Sequence, residues 1–289
     1  MSPAVAAPLV TRFAPSPSGY LHLGHALAAL AAHEAARAGG GRFLVRIEDI
    51  DGTRCRPEYE AAIFEDLAWL GLTWERPVVR QSGRASAYAL ALDRLEATGL
   101  LYPCFCTRTD IRAEVARSPS APHGPEGVLY PATCRALSAA ERTARIDAGM
   151  GYAMRLDVQR AAARTGPLTW HDRAAGVVAC APEVLGDVVL ARKGISTSYH
   201  LAVTVDDAFQ AVTLVTRGLD LFHATHVHRL LQAVLDLPVP SYHHHRLVVG
   251  ADGKRLATRH GAMALRSLRA QGWTPASVRQ RIGWPDGGE

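Results

Sequence analysis

Residues 12–25 read Arg12-Phe13-Ala14-Pro15-Ser16-Pro17-Ser18-Gly19-Tyr20-Leu21-His22-Leu23-Gly24-His25, and they limit the possible folds more than any other stretch. The short apolar run 10–14 predicts a buried strand. Pro15, Pro17 and Gly19 then interrupt regular structure, and the alanine-rich run 26–38 has high helix propensity. A strand, turn and helix in this order leave the first N–H groups of the helix without intrahelical partners. Such a helix end can hold an anion. His22 and His25, three apart, share a face if both lie in the first helical turn. Taken alone, the pair fits an ordinary loop as well as it fits a site.

The rest of the first hundred residues continues the pattern. Gly39-Gly40-Gly41 ends the helix, and the apolar run 42–47 predicts a second buried strand, so the unit reads as βαβ in a parallel sheet. That strand runs into the acidic cluster Glu48-Asp49-Ile50-Asp51. An arbitrary acidic loop is most simply a solvated one, but ligands of open α/β sheets bind at the carboxyl ends of strands. Helices are expected over 57–71, with Ile63, Leu67 and Leu70 on its buried face, and over 86–99, with a short strand at Val78-Val79 between them.

From residue 100 to about 182 the alternation weakens, which reads as an inserted module containing strands near 152–156 and 186–191. The parallel sheet is expected to resume with strands at 199–205 and 211–215, ending in Asp206-Asp207 and Arg217-Gly218-Leu219-Asp220. A helix over 219–235, a strand over 246–249 and two short helices, 262–271 and 274–282, complete the chain. No internal repeat is evident. The expected organisation is a first half of the main domain (1–103), the inserted module (104–185), a second half (186–245) and a C-terminal segment (246–289).

Composition narrows the class. With 48% hydrophobic residues, 289 residues can bury a substantial core. The formal charge of +5 mildly favours a polyanionic partner. There is no long apolar run and no signal-peptide pattern at the start, so a soluble, cytoplasmic protein is expected. Five cysteines, an odd number, argue against a disulfide framework. Cys104-Phe105-Cys106, with Tyr130 and Cys134 downstream, is a candidate metal site, although it lacks the usual Cys-x-x-Cys and free buried thiols would also explain it. The run His243-His244-His245 cannot converge on one ion if it lies in a strand, because alternate residues face opposite sides. His226 and His228, two apart on a helix, do not share a face. A structural or solvent-facing role is expected for all five histidines.

Several separated blocks carry a family resemblance. Residues 12–25 resemble the nucleotide-binding motif of class I aminoacyl-tRNA synthetases in its glutamyl form. Arg46-Ile47-Glu48-Asp49-Ile50-Asp51 with Arg54, Tyr199-His200-Leu201-Ala202-Val203 and Thr216-Arg217-Gly218-Leu219-Asp220 resemble further blocks of that family, in order. The resemblance implies an α/β fold: a Rossmann-like parallel-sheet catalytic domain with an inserted α+β zinc-containing module and a short C-terminal helical segment. It implies an ATP site at His22, Gly24 and His25, with Mg²⁺ accompanying the nucleotide. It also implies an L-glutamate site at Arg12, Phe13, Ala14, Pro15, Ser16, Glu48, Tyr199 and Arg217. Two arginines and a hydroxyl facing one acid would suit a dicarboxylic amino acid.

The segment Gly253-Lys254-Arg255-Leu256-Ala257-Thr258-Arg259-His260-Gly261 resembles the family's mobile ATP loop. Ala257 and Thr258 stand where serine and the phosphate-binding lysine are expected. Lys254, Arg255 and Arg259 are the neighbouring cations able to meet the leaving pyrophosphate. Cys104, Cys106, Tyr130 and Cys134 match the zinc ligands of the short family members that modify tRNA, with His123 as the reserve fourth ligand.

Those members imply a monomeric ligase that activates glutamate and passes it to queuosine at the wobble position of tRNA(Asp), whose anticodon loop enters the site. Two alternatives remain at this level: a glutamate-activating ligase with another acceptor, and a catalytically weakened RNA- or nucleotide-binding paralogue in which Thr258 replaces the lysine.

Overall fold

The computed structural model describes residues 8–117, 123–124, 127–192, 197–249 and 263–284. Strand β1 (Val10–Phe13) is wholly buried and leads through the Pro-Ser-Pro-Ser-Gly turn into α1 (Leu23–Ala38). Leu27, Leu30 and a row of alanines face inward, and small alanine side chains let α1 lie close to the sheet. The chain returns at Gly41, where a Cβ would sit 1.9 Å from the Leu9 carbonyl oxygen. Only glycine fits there, because the Arg42 N–H must reach that oxygen, at 2.7 Å. The returning strand β2 (Arg42–Ile47) pairs in parallel with β1, Val10 opposite Arg42 and Phe13 opposite Val45.

Helix α2 (Pro57–Trp69) starts on a proline, whose missing N–H costs nothing in a first turn. It buries Ile63 and Leu67. Strand β3 (Glu75–Arg80) adds in parallel to β2, and α3 (Ala85–Ala97) follows. Next come β4 (Leu101–Cys104), α4 (Arg108–Arg117), the small hairpin β5 (His123–Gly124) and β6 (Gly127–Val128), α5 (Ala139–Asp147), β7 (Ala153–Leu156) and α6 (Val158–Thr165). Ser138 caps α5 and Asp157 caps α6, each accepting a backbone N–H of the first turn. A second hairpin, β8 (Thr169–Asp172) and β9 (Gly176–Ala179), precedes β10 (Val189–Arg192), and β10, β7 and β4 form an antiparallel sheet in that order. The flanks of the expected 104–185 segment therefore supply two of that sheet's strands.

The chain continues through α7 (Tyr199–Phe209), β11 (Leu214–Gly218), α8 (Ala224–Val234), β12 (Ser241–His245), α9 (Leu265–Ala270) and α10 (Pro275–Arg281). β11 and β12 are parallel, and β8 extends them where Asp172 meets Tyr242. β11 lies beside β1, joined by the Thr213 N–H to the Val10 carbonyl at 3.0 Å. β1 and β11 are the adjoining edges of two parallel strand sets, β1-β2-β3 and β11-β12, whose chain order runs outward from that junction on both sides, and an open α/β sheet opens its ligand crevice at such a switch point. One apolar core joins α1, α2, β1 and β2 to Leu268 of α9 and Val278 of α10. A second joins α3, α6, α7 and α8 through Leu95, Ala161, Leu201 and Leu230.

Three expectations need correction. Residues 199–205 are helix, not strand: the Ser198 hydroxyl accepts the Leu201 N–H, and Leu201, Ala202, Asp206 and Asp207 all turn inward. The valines carry strand propensity, but packing against α3 and α8 outweighs it. The strand expected over 246–249 lies earlier, at Ser241–His245, and contains all three consecutive histidines. The helix expected from residue 219 starts at Ala224, after a short 3₁₀ turn over Leu219–Leu221.

Candidate functional site

The carboxyl ends of β1, β2, β11 and β12 surround a cavity of about 1090 Å³. Its lining includes Arg12, Phe13, Ala14, Pro15, Ser16, His22, Gly24, His25, Glu48, Tyr199 and Arg217, so residues nearly two hundred positions apart meet at one crevice. Lys254, Arg255, Thr258 and Arg259 lie outside the described residues. Two loops are tied together at the crevice floor: the Glu48 N–H bonds the Pro15 carbonyl and the Arg56 N–H bonds the Pro17 carbonyl, each at 3.0 Å.

The helix start is built by its own histidines. His22 is the N-cap of α1, and its Nδ1 accepts the Gly24 N–H at 3.1 Å. The His22 N–H in turn bonds His25 Nδ1 at 3.2 Å, and the two rings stack at 3.8 Å between centroids. The expected shared face is thus observed. Gly24 permits it, since a Cβ there would lie 3.0 Å from His22 Cε1 and 3.1 Å from Nδ1. The segment entering α9 pairs back onto this start, with His22 bridging Ala264 and the Leu265 N–H bonding the Leu21 carbonyl at 2.7 Å.

Beside the helix start lies a buried charge cluster. Arg12 donates through Nε to Asp207 at 2.9 Å and through Nη1 to the Thr216 carbonyl at 3.2 Å. Arg46, with no exposed surface, donates to Asp207 at 2.8 Å and to Glu48 at 3.1 Å. Burial raises the Glu48 carboxyl pKa, the nearby Arg46 and Arg12 only partly opposing it. Burial works against ionisation of Asp207 too, but there Arg12 and Arg46 outweigh it and hold the group below the usual carboxylate range. Asp206 accepts from Gln81, Arg84 and Tyr88 behind the site. The expectation of two cations facing a single acid is therefore corrected: Asp207 is a second acid, and it already pairs Arg12. A strand over 199–205 would place Asp206-Asp207 in a loop, whereas the helix turns both inward.

Arg217 is set differently. It is 5% exposed, and its neighbours are Tyr199 Oη at 3.4 Å, His228 Nδ1 at 3.1 Å, His244 Nε2 at 3.2 Å and Thr225 Oγ1. The histidine runs thus divide by face. His244 points inward to Arg217 and Asp172, while His226 takes the Trp170 Nε1–H at 3.3 Å, away from the site. The structural or solvent-facing role expected of His228 and His244 is thus corrected: both contact Arg217 at the crevice. The three-residue spacing of Thr225 and His228 on one helix face was the available signal.

The cysteines also converge. The sulfurs of Cys104, Cys106 and Cys134 all lie within 4.8 Å of one another. Cys106 and Cys134 approach to 3.5 Å, and the Tyr130 hydroxyl lies 3.9 Å from Cys106 Sγ. Burial pushes the Cys106 thiol up to about 12. Burial opposes ionisation of Cys134 as well, but the Tyr130 hydroxyl and the Phe105 amide outweigh it and leave that thiol below its ordinary value. Three sulfurs this close could each lie about 2.3 Å from one metal ion, with the Tyr130 oxygen the neighbouring candidate for a fourth donor. The side chain of His123 lies outside the described residues.

The crevice lies at the switch point of an open α/β sheet, where a histidine-capped helix start meets buried carboxylates and arginines. The structure of a glutamate tRNA ligase from Elizabethkingia meningosepticum in complex with its amino acid superposes with a TM-score of 0.73 at 27% identity, over 88% of this chain and 53% of that one. Residues 8–288 match the family described as tRNA synthetases class I (E and Q), catalytic domain, and the chain belongs to that family.

Among its relatives, a glutamyl-Q tRNA(Asp) synthetase of Rhodobacter capsulatus is 51% identical, over 95% of this chain and 100% of the relative. Another of that name, from Symbiobacterium thermophilum, is 44% identical over 96% and 87%. A glutamate–tRNA ligase 2 of Acidithiobacillus ferrooxidans is 40% identical over 95% of this chain, which spans only 57% of it. The chain thus matches the first two over most of their length and the glutamate–tRNA ligases over about half.

Proposed function

We propose that this protein activates L-glutamate with ATP as glutamyl-adenylate and transfers the glutamyl group to queuosine at the wobble position of tRNA(Asp). The observation that carries the reading is the single crevice, which brings the helix start at His22 together with Glu48, Tyr199 and Arg217 from distant parts of the chain. Identities of 51% and 44% over 100% and 87% of two glutamyl-Q tRNA(Asp) synthetases support the choice of acceptor.

In this reading Glu48 takes the substrate ammonium, and Arg217 with Tyr199 takes a carboxylate. Arg12, clamped by Asp207, borders the amino-acid pocket with Phe13, Ala14, Pro15 and Ser16. An oxygen of the α-carboxylate attacks the α-phosphorus of ATP, a P–O bond forms, and pyrophosphate departs. His22, Gly24, His25 and the helix end stabilise the charge developing on the phosphate. Mg²⁺ accompanying the nucleotide would supply phosphate-charge neutralisation there. Lys254, Arg255 and Arg259 supply positive charge beside Thr258. A queuosine hydroxyl then attacks the mixed anhydride carbonyl, releasing AMP and a proton. Cys104, Cys106 and Cys134, with Tyr130 beside them, would hold a structural Zn²⁺ and so cross-link the inserted module.

Glutamate-dependent exchange of pyrophosphate into ATP, without tRNA, tests the first step. Transfer of labelled glutamate to queuosine-containing tRNA(Asp), but not to queuosine-free tRNA(Asp), tests the second. No exchange at saturating substrates would overturn the enzymatic reading, and efficient charging of the unmodified tRNA would overturn the acceptor.

A further inference from the structure

Arg12, Arg46 and Arg217, three buried arginines at the strand ends, are neutralised unequally. Arg12 and Arg46 both bond Asp207, and Arg46 also bonds Glu48. Arg217 is just as buried, yet among the described residues its hydrogen-bond partners are two imidazoles and two hydroxyls, with no carboxylate in ion-pair range. A buried cation without an anion is costly unless a ligand supplies one.

The hydrogen bonds determine where the imidazole protons sit. Asp172 Oδ2 lies 2.7 Å from His244 Nδ1 and also accepts the His244 main-chain N–H at 3.1 Å. A carboxylate only accepts, so Nδ1 of His244 carries the proton and Nε2 presents its lone pair to the Arg217 Nε–H at 3.2 Å. Asp172 is itself fixed at the β8–β9 turn, its Oδ1 accepting the Ala174 and Ala175 N–H groups at 2.9 and 3.0 Å. On the other side, His228 Nδ1 faces Arg217 Nη1 at 3.1 Å and must accept from it. Its proton is then on Nε2, 3.2 Å from His200 Nδ1. Both rings are thereby neutral. Burial and the adjacent Arg217 agree, lowering His244 to about 4 and His228 well below its ordinary value.

We propose that His228 and His244 form a neutral cradle: as proton acceptors locked in opposite tautomers by His200 and Asp172, they orient the Arg217 guanidinium without neutralising it. The full positive charge is left to bind a carboxylate of the amino acid. His228 and His244 are then positioning residues, and the β8–β9 hairpin reaches the substrate through Asp172 and His244. The inference rests on the proposed glutamate activation only for its kinetic arm.

The test has two arms. In ¹⁵N-histidine NMR spectra at neutral pH, with signals assigned from the His228→Asn and His244→Gln variants, His244 should be the neutral Nδ1–H tautomer and His228 the neutral Nε2–H tautomer. An imidazolium or the opposite tautomer at either ring would overturn the cradle whether or not the protein is an enzyme. In pyrophosphate exchange, His228→Leu should raise the glutamate KM at least about tenfold, the loss of one hydrogen bond to a charged group, with the ATP KM within about twofold. His228→Asn, whose amide oxygen can occupy the Nδ1 position, should recover most of that loss. His228→Asp keeps an acceptor but adds an anion, and should also raise the glutamate KM at least about tenfold. A His228→Asp enzyme with wild-type glutamate KM, or a His228→Leu effect shared equally by ATP, would overturn the proposal. Absence of exchange in the wild type would instead refute the enzymatic reading, leaving the tautomers to decide the cradle.

Discussion

Asp207→Asn removes one negative charge from the centre of the molecule while keeping nearly the same shape. The carboxylate accepts from Arg12 and Arg46, and Arg46 has no exposed surface through which water could replace it. Removing one partner of a buried ion pair costs about 3–5 kcal/mol. The amide oxygen still accepts one hydrogen bond, and Glu48 still pairs Arg46, so the expected loss is at the low end, about 3 kcal/mol. In a domain of this size about 2 °C of melting temperature accompanies each kcal/mol, so the midpoint should fall by about 6 °C.

The pH dependence supplies an independent reading. The native carboxyl of Asp207 lies below its ordinary value of 3.8. Its stabilisation is therefore fully present above that pH and is lost as the pH falls through the lowered native value. Wild type should lose stability in acid more steeply than the asparagine variant. Scanning calorimetry between neutral pH and pH 3 measures both effects. A melting change under about 1 °C with parallel acid slopes would refute the assignment of Asp207 as the cluster's central anion.

Glu48→Gln should separate function from stability. Burial raises the native Glu48 pKa, so its ionised form costs stability as pH rises through the native value; the variant should melt no lower than wild type at pH 7, while the glutamate KM in pyrophosphate exchange rises at least about tenfold. Gly24→Ala should raise the ATP KM several-fold by pushing the His22 ring off its cap, with little change in melting because alanine favours helix by about 1 kcal/mol; an unchanged ATP KM would detach His22 from nucleotide binding. Cys134→Ser should reduce bound zinc, measured by atomic emission, from about one ion per chain to a small fraction of that, and lower the midpoint of unfolding. Stoichiometric zinc in that variant would remove Cys134 from the ligand set.

Much of the fold and part of the site were legible in the order of residues alone. The first strand, the Pro-Gly turn, the alanine helix and the returning strand depend on neighbours within a few positions, and each stands where its pattern places it. Glu48 and Arg217 were readable as polar groups following strands, a local property, whereas Arg12 stood out only through the family resemblance of residues 12–25. Their partners were not readable. Arg12 finds Asp207 195 positions away, and Arg217 finds His244 27 positions on, on the adjacent strand. Asp207 faces inward only because 199–209 packs as a helix against α3 and α8, against the strand preference of its valines.

Sequence thus determined which groups stand at the mouth of the sheet, since periodicity and turn chemistry act over short range. Tertiary structure alone decided which charges are matched. Burial removes the water that would otherwise screen every pair alike, so the protonation of His228 and His244, and the lack of a carboxylate beside Arg217 among the described residues, depend on which distant elements meet there.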